Sequence, residues 1–492
     1  MTGVDYGQGS KITPFEATQG PVSKFHYLIP AAKPSLELCY NLLSSAANRF
    51  PVPTLVGYNA TADSHHAVSR LRTIAHHLDQ LGPENDNDLV LIADGHGVVV
   101  QLPAEVLIER YFEARKRSEV IMAQRLGLSV DDACARGMRQ TLFWGPDMRC
   151  SPDDPSAARC WAVPESGVLS DDPRTKNGRV TFHDVRYLNA GTAMGPVGEM
   201  RTLMAAALAE MEEQQQQHDA QSDLDSSEQY HVSNLFGRQE YYRTLNTTGR
   251  EPQGGPDNRR IPEKQHEDQQ TEHHMAVDYK SILFQPRSGG YGAFLSRLRF
   301  SRPGFKARVD SDVFGQGEDF VPRDMHMPTN VRYALVRLYD SIPRAHPGQM
   351  ARSWVGAVEL GVNLVANHIY AVWHCSSGAD DSEGGGSRQL VPREAARMWW
   401  YRYARSLVKA TVRAFQNGEL ITHQLMDGRQ WAPKMAYPDR KTLRDELGGA
   451  WTDSGSGDGK EFVEWETLCG RYGEELFAGE DVPAMIMASG DL

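Results

Sequence analysis

Apolar and polar positions along the first 150 residues follow a strand–helix–strand order. Residues 24–29 (KFHYLI) read as a short strand stopped by Pro30. Positions 36–48 space their apolar residues as a helix, 54–58 (TLVGY) form a second strand, and 67–81 an amphipathic helix. Residues 88–93 (DLVLIA) are almost continuously apolar, the pattern of a strand buried on both faces of a parallel sheet. That run ends in a tight polar turn, Asp94-Gly95-His96-Gly97, and 98–101 is extended again. Pro103 to Leu126 predicts a helix, with Pro at its start and Glu105 in its first turn. Strands at 141–144 and 187–189, and helices at 198–213 and 393–415, continue the pattern, and the tail after Trp451 is weakly patterned. Such alternation predicts an α/β fold with helices flanking a sheet.

Three polar stretches interrupt the pattern: 212–227 (EEQQQQHDAQSDLDSS), 247–275, and the Gly-rich acidic 376–388. Their composition leaves little to bury, so they read as disordered insertions. The expected organisation is a flexible tail at 1–20, a catalytic domain over 21–415 and an extension over 416–492. The length, 492 residues, is too short for a multi-module assembly line. Mean hydropathy is −0.51 and no apolar run spans a membrane. The first twenty residues lack the charged-then-apolar order of a secretory leader, so a cytoplasmic location is expected. The six cysteines form no CxxC pair and are expected as free thiols. A net charge of −12 disfavours nucleic-acid binding by the whole surface.

Four features are candidates for chemistry. Asp94 ends an apolar strand before Gly95, which puts a carboxylate at the sheet edge where α/β proteins bind ligands; an Asp that merely turns the chain fits the same residues. Asp225 and Glu228, three apart in LDSSEQ, share a helix face. They equally describe a helix start with Asp225 as N-cap and Glu228 at the third position of a capping box. His374 ends the apolar run IYAVWH, where a structural histidine is also common. Between 287 and 308 there are six basic residues (Arg287, Arg297, Arg299, Arg302, Lys306, Arg308), no acid, and three interleaved phenylalanines. Basic side chains with aromatics suit phosphates and exposed bases, and a solvated face backed by core aromatics looks the same. For the Trp399–Tyr403 cluster, core packing is the expected reading.

The segments 86–112, 186–201, 226–243, 277–285 and 361–375, taken in order, resemble a group of fungal proteins similar to GT-A glycosyltransferases. The resemblance implies a GT-A-like mixed sheet flanked by helices. It also implies that the acidic motif which holds Mn²⁺ and a sugar diphosphate begins at Asp94, that its second Asp falls at Gly97, and that the metal histidine matches His374. With that second Asp missing, the chain is more similar to a divergent branch, the arginine-containing cyclodipeptide synthases. These join two aminoacyl-tRNAs into a diketopiperazine and carry a D-D-x-x-E motif, whose nearest match is Leu224-Asp225-Ser226-Ser227-Glu228.

On this resemblance Asp225, Glu228 and Asp94 are the expected catalytic residues. Gln229, Asn189, His96, Asp278 and His374 are the expected substrate-binding residues, and Arg297, Arg299, Arg302 and Lys306 the tRNA contacts. The partners implied are arginyl-tRNA, a second aminoacyl-tRNA and the tailoring enzymes of a biosynthetic pathway, with no membrane. An aminoacyl ester is already activated, so no cofactor is required and a divalent metal is optional. Holding two esters together lowers the barrier by roughly 7–11 kcal/mol, and a carboxylate or histidine can take the amine's proton. A carboxylate pair also suits a guanidinium. Ser226 or Ser227 as an acyl carrier, sugar transfer with a degenerate metal motif, and an inactive binding scaffold are the alternatives.

Overall fold

The computed structural model describes residues 20–59, 66–167, 184–217, 227–264, 269–287, 292, 294–345, 348–375, 387–443, 446–453 and 460–480. Its centre is a mixed sheet of nine strands: β1 (Val22–Pro30), β2 (Thr54–Val56), β3 (Leu89–Ala93), β5 (Leu142–Asp147), β6 (Tyr187–Pro196), β7 (Met275–Val277), β15 (Gln430–Pro433), β16 (Gly449–Thr452) and β17 (Glu461–Glu464). The order is β17-β16-β2-β1-β3-β6-β5-β7, with β15 also on β1. β3 lies parallel to β1 and antiparallel to β6, and β5 is antiparallel to β6 and parallel to β7. The C-terminal ends of β1, β2, β3, β5 and β7 therefore share one edge, and β6 starts there.

Alternation in the central strands sorts side chains onto two faces. Tyr27 and Leu91 pack with α1 (Leu36–Ala47) and α3 (Ala104–Arg125). Leu28, Val90 and Ile92 pack against α2 (His66–Asp79), α6 (Val197–Gln217) and α7 (Glu228–Thr248). Both faces are covered, which is why β3 reads as a continuous apolar run. Two short helices, α4 (Val130–Ala135) and α5 (Ala158–Trp161), lie in the connections. Three smaller sheets complete the chain. β4 (Val98–Val100), β14 (Val372–His374) and β8 (Phe284–Pro286) form one. β9 (Leu295–Arg299), β12 (Glu359–Asn363) and β13 (His368–Ile369) form another, and β10 (Lys306–Val309) pairs with β11 (Arg323–His326). Among the described residues no helix is long and apolar enough to cross a membrane.

The expected α/β sheet with helices on both faces is present. Several expectations are corrected. The strand expected at 187–189 continues to Pro196 through Gly191 and Gly195, where small residues disguise it. A Cβ at Gly195 would lie 2.7 Å from the Thr141 carbonyl oxygen, so the neighbouring strand demands glycine there. The helix expected over 393–415 is broken into Ser387–Ala395 and Ala404–Gln416. Between them Trp399 and Trp400 turn inward, and their indole N–H groups donate to the carbonyls of Gln101 (2.7 Å) and Val100 (2.8 Å). The segment after 415 is no appendage: β15 pairs with the first half of β1 and β16 with β2.

Four of the six cysteines are paired, which corrects the free-thiol expectation. Cys39 on α1 is bridged to Cys469, 430 residues away, and Cys150 to Cys160 within the loop after β5. Cys134 and Cys375 are free. Of the three polar insertions, 218–226, 265–268 and 376–386 lie outside the described residues, as do residues 1–19 of the tail. The first insertion begins as the last turns of α6.

Candidate functional site

The shared C-terminal edge gathers the candidate residues. Directly after β3, the Asp94 N–H donates to the Gly191 carbonyl (2.8 Å) and its carbonyl accepts from the Asn41 side chain (3.1 Å). Its carboxylate accepts from the His96 N–H at 3.1 Å, closing the polar turn. Glycines let three segments converge here. A Cβ on Gly95 would lie 2.8 Å from the Pro30 carbonyl oxygen, and one on Gly97 only 2.2 Å from that of Cys375. Gly97 thus has no room for an acidic side chain, so the second motif Asp of the sugar transferases does not fit this turn. β14 pairs with β4 and delivers His374, whose Nε2 lies 3.9 Å from an Asp94 carboxylate oxygen. Gly191 leaves a slot for that ring: a Cβ there would sit 2.2 Å from His374 Cε1.

The start of α7 brings in Glu228. Its N-cap is Ser227, whose hydroxyl accepts from the Tyr230 N–H at 3.2 Å. This corrects the expectation of Asp225 as cap: the helix begins two residues later and Glu228 is its first residue, not its third. Asp225 and Ser226 lie outside the described residues.

Arg70, on α2, joins the two acids. Its Nε lies 2.6 Å from Glu228 and its Nη1 3.5 Å from Asp94. Sequence reasoning missed Arg70, because an arginine beside the apolar stripe Leu71, Ile74, Leu78 reads as surface.

The site's electrostatics follow from burial and this clasp. Burial alone would raise the Asp94 carboxyl, but Arg70, His374 and the His96 N–H outweigh it and hold it far below the usual range. Burial dominates at Glu228; Arg70 opposes it, Asp94 adds repulsion, and the carboxyl is raised. Burial disfavours the Arg70 cation, yet the two carboxylates overcome that and raise its pKa. Four buried atoms of the clasp have no hydrogen-bond partner among the described residues: Glu228 Oε1, Arg70 Nη2, His374 Nε2, and Arg70 Nε, which meets Glu228 at ion-pair distance only. Buried polar atoms of this kind demand an explanation, and a ligand is one. A carboxyl whose pKa is raised is a stronger base than an ordinary one, and a fixed cation beside it can meet negative charge.

The other expected binding residues fall on the same edge in different roles. The Gln229 amide accepts from Ala190 N–H (2.7 Å) and donates to the carbonyls of Leu188 (2.7 Å) and Ser151 (3.2 Å), tying α7 to β6. Asn189 donates to Asp147 at 3.0 Å and accepts from Gly191 N–H at 2.9 Å. His96 is exposed, with Nδ1 3.2 Å from the Ser35 hydroxyl. Asp278, after β7, is buried and accepts from the N–H groups of Ile282, Leu283 and Phe284. Its burial pushes the carboxyl up to about 7, and its contacts are those of a turn-forming residue.

The expected tRNA contacts do not form a free basic face. Arg297 is half-buried, pairs with Glu394 and donates to the Arg397 carbonyl at 2.7 Å. Arg299 and Arg302 are exposed but lie opposite Glu359 (3.9 Å) and Asp324 (2.5 Å). Lys306 is half-buried at the start of β10, and Phe294 and Phe300 are core residues. Acids from β11, β12 and the helix Ser387–Ala395 pair with Arg297, Arg299 and Arg302, so these three do not stand as a free phosphate platform.

The residues do not fit a divalent cation. Among the described residues no group of three or more metal-ligating side chains converges. A guanidinium already stands between Asp94 and Glu228. Among the described residues, one cavity of about 740 Å³ lies beside Glu199 and His274 and another of about 940 Å³ beside Arg149, Trp161 and Tyr187; neither of these is lined by Asp94. Compared with protein-family models and with curated proteins, the chain matches none.

Proposed function

We propose that the chain is a tRNA-dependent synthase of an arginine-containing cyclodipeptide on a GT-A-like scaffold. The observation that carries this reading is the delivery of Glu228, the glutamate of the motif match, buried and within 2.6 Å of Arg70, beside Asp94 at the sheet edge. The strand order β2-β1-β3-β6-β5-β7, with β6 reversed and an Asp directly after β3, supports the scaffold. The raised Glu228 carboxyl suits removal of a proton from an attacking α-amine. An aminoacyl ester needs no metal to leave, which agrees with a centre whose cation is an arginine. The test is expression in a bacterial host and mass analysis of the medium for a diketopiperazine containing arginine. Product should form with EDTA present, stop when RNase removes tRNA, and disappear in Glu228→Gln while the protein stays folded. Full activity in Glu228→Gln would remove Glu228 from the mechanism.

A second reading, sugar transfer in an oxidising compartment, is favoured by the two disulfides. Calorimetry with nucleotide sugars separates the two. Saturable binding without tRNA-dependent product selects sugar transfer.

A further inference from the structure

The centre at the sheet edge contains a cation with an unsatisfied donor and an acid with an unsatisfied acceptor. Arg70 Nη2 and Glu228 Oε1 are both buried atoms without a hydrogen-bond partner among the described residues. They belong to side chains already in contact through Arg70 Nε and Glu228 Oε2 at 2.6 Å. Glu228 is 4 % exposed as a residue and the Arg70 side chain 23 %, while Nη2 and Oε1 themselves are buried. Asp94, 3.5 Å from Nη1, anchors the guanidinium from its other arm.

We propose that Arg70 is a catalytic residue of this centre, its Nη2 donating to the oxyanion that develops when a carbonyl is attacked by an amine held at Glu228 Oε1. The inference rests on the aminolysis reading above. The amine nitrogen forms a bond to the carbonyl carbon, and the carbonyl π pair moves to oxygen, where Nη2 meets the charge. Glu228 takes the amine's proton. The intermediate collapses, the carbon–oxygen ester bond breaks, and the leaving ribose oxygen keeps the electron pair and receives the proton from Glu228. Atoms and charge balance with no further reactant. A guanidinium fixed on Asp94 is preorganised for this task, since it reorients little as charge appears.

The test uses the full chain and a probe with an amine beside a tetrahedral anion, 1-aminoethylphosphonate, titrated by calorimetry. The wild-type chain should bind it. Arg70→Ala should weaken binding roughly tenfold, and Glu228→Gln should weaken it too. Arg70→Lys keeps the charge for folding but loses the fork, and should bind between the two. Guanidinium ion added to Arg70→Ala should recover part of the loss. Absence of wild-type binding, or equal affinity in wild type and Arg70→Lys, overturns the inference. Probe binding with the expected losses, but no diketopiperazine from the wild type, sinks the tRNA reading and leaves the role of Arg70 as an oxyanion donor standing.

Discussion

Helix α7 carries two guanidinium clasps, and they differ. In its middle, Arg243 is held between Glu240 and Glu272. Nη1 donates to Glu240 (2.7 Å), Nε and Nη2 to the two Glu272 oxygens (2.7 and 2.6 Å), and Nη2 also to the Arg139 carbonyl (2.7 Å). Glu240 receives Arg125 and Gln239 as well. Burial opposes ionisation of Glu240, yet Arg125 and Arg243 pull its carboxyl below the usual range. Every arm of that clasp is satisfied, and it joins helices to loops. At the start of α7, the Arg70 clasp has the same components but leaves Glu228 Oε1 and Arg70 Nη2 unmatched, and its glutamate is raised rather than lowered. Equal composition with unequal satisfaction distinguishes a structural ion cluster from a reactive one.

The largest effect expected from this contrast is on stability. Arg243→Ala removes the guanidinium shared by two carboxylates, one of them fully buried, and should cost roughly 3–5 kcal/mol in urea unfolding. Arg70→Ala should cost about 2 kcal/mol or less, because its clasp is incomplete and partly open to water. Equal losses would break the contrast. A smaller effect belongs to the slot beneath His374. Gly191→Ala puts a methyl 2.2 Å from the ring; it should cost roughly 1–3 kcal/mol and shift the His374 imidazole resonances. Unchanged resonances would mean the slot does not hold the ring.

The smallest effects are those of pH, and they have opposite signs within one site. The depressed Asp94 carboxyl contributes stability that is present above the unfolded carboxylate pKa of about 3.9 and lost as pH falls through its folded value. Asp94→Asn should therefore melt below wild type at neutral pH, with the gap closing in acid. The raised Glu228 carboxyl binds its proton more tightly in the folded state, so its contribution falls as pH rises above the unfolded value. Glu228→Gln should gain on wild type as pH rises. Parallel slopes for the two variants would refute the assignment of charges.

How much of this was legible follows from how local each signal is. β3 and Asp94 are readable because five consecutive apolar residues end in a carboxylate. The helix at Glu228 is readable too, though Ser227, not Asp225, caps it, since serine and aspartate serve equally. Arg70 is not readable, because its partners come from a strand end and a helix start far along the chain. The basic stretch misleads for the same reason: Asp324, Glu359 and Glu394, which neutralise it, arrive from elsewhere. β15 and β16 are four residues each, too short for a periodic signal.

Those short strands bear on how the chain is made. The first half of β1 hydrogen-bonds Gln430–Pro433, and Cys39 awaits Cys469. At roughly 5–20 residues per second, a ribosome needs on the order of tens of seconds to travel from one to the other. Throughout that interval the central strand of the sheet has an open edge, the template on which chains aggregate. A protein released near residue 415 never closes that edge. Vectorial synthesis thus makes the last eighty or so residues the step that ends exposure to misassembly, and chaperone dependence should rise for chains shortened at that end.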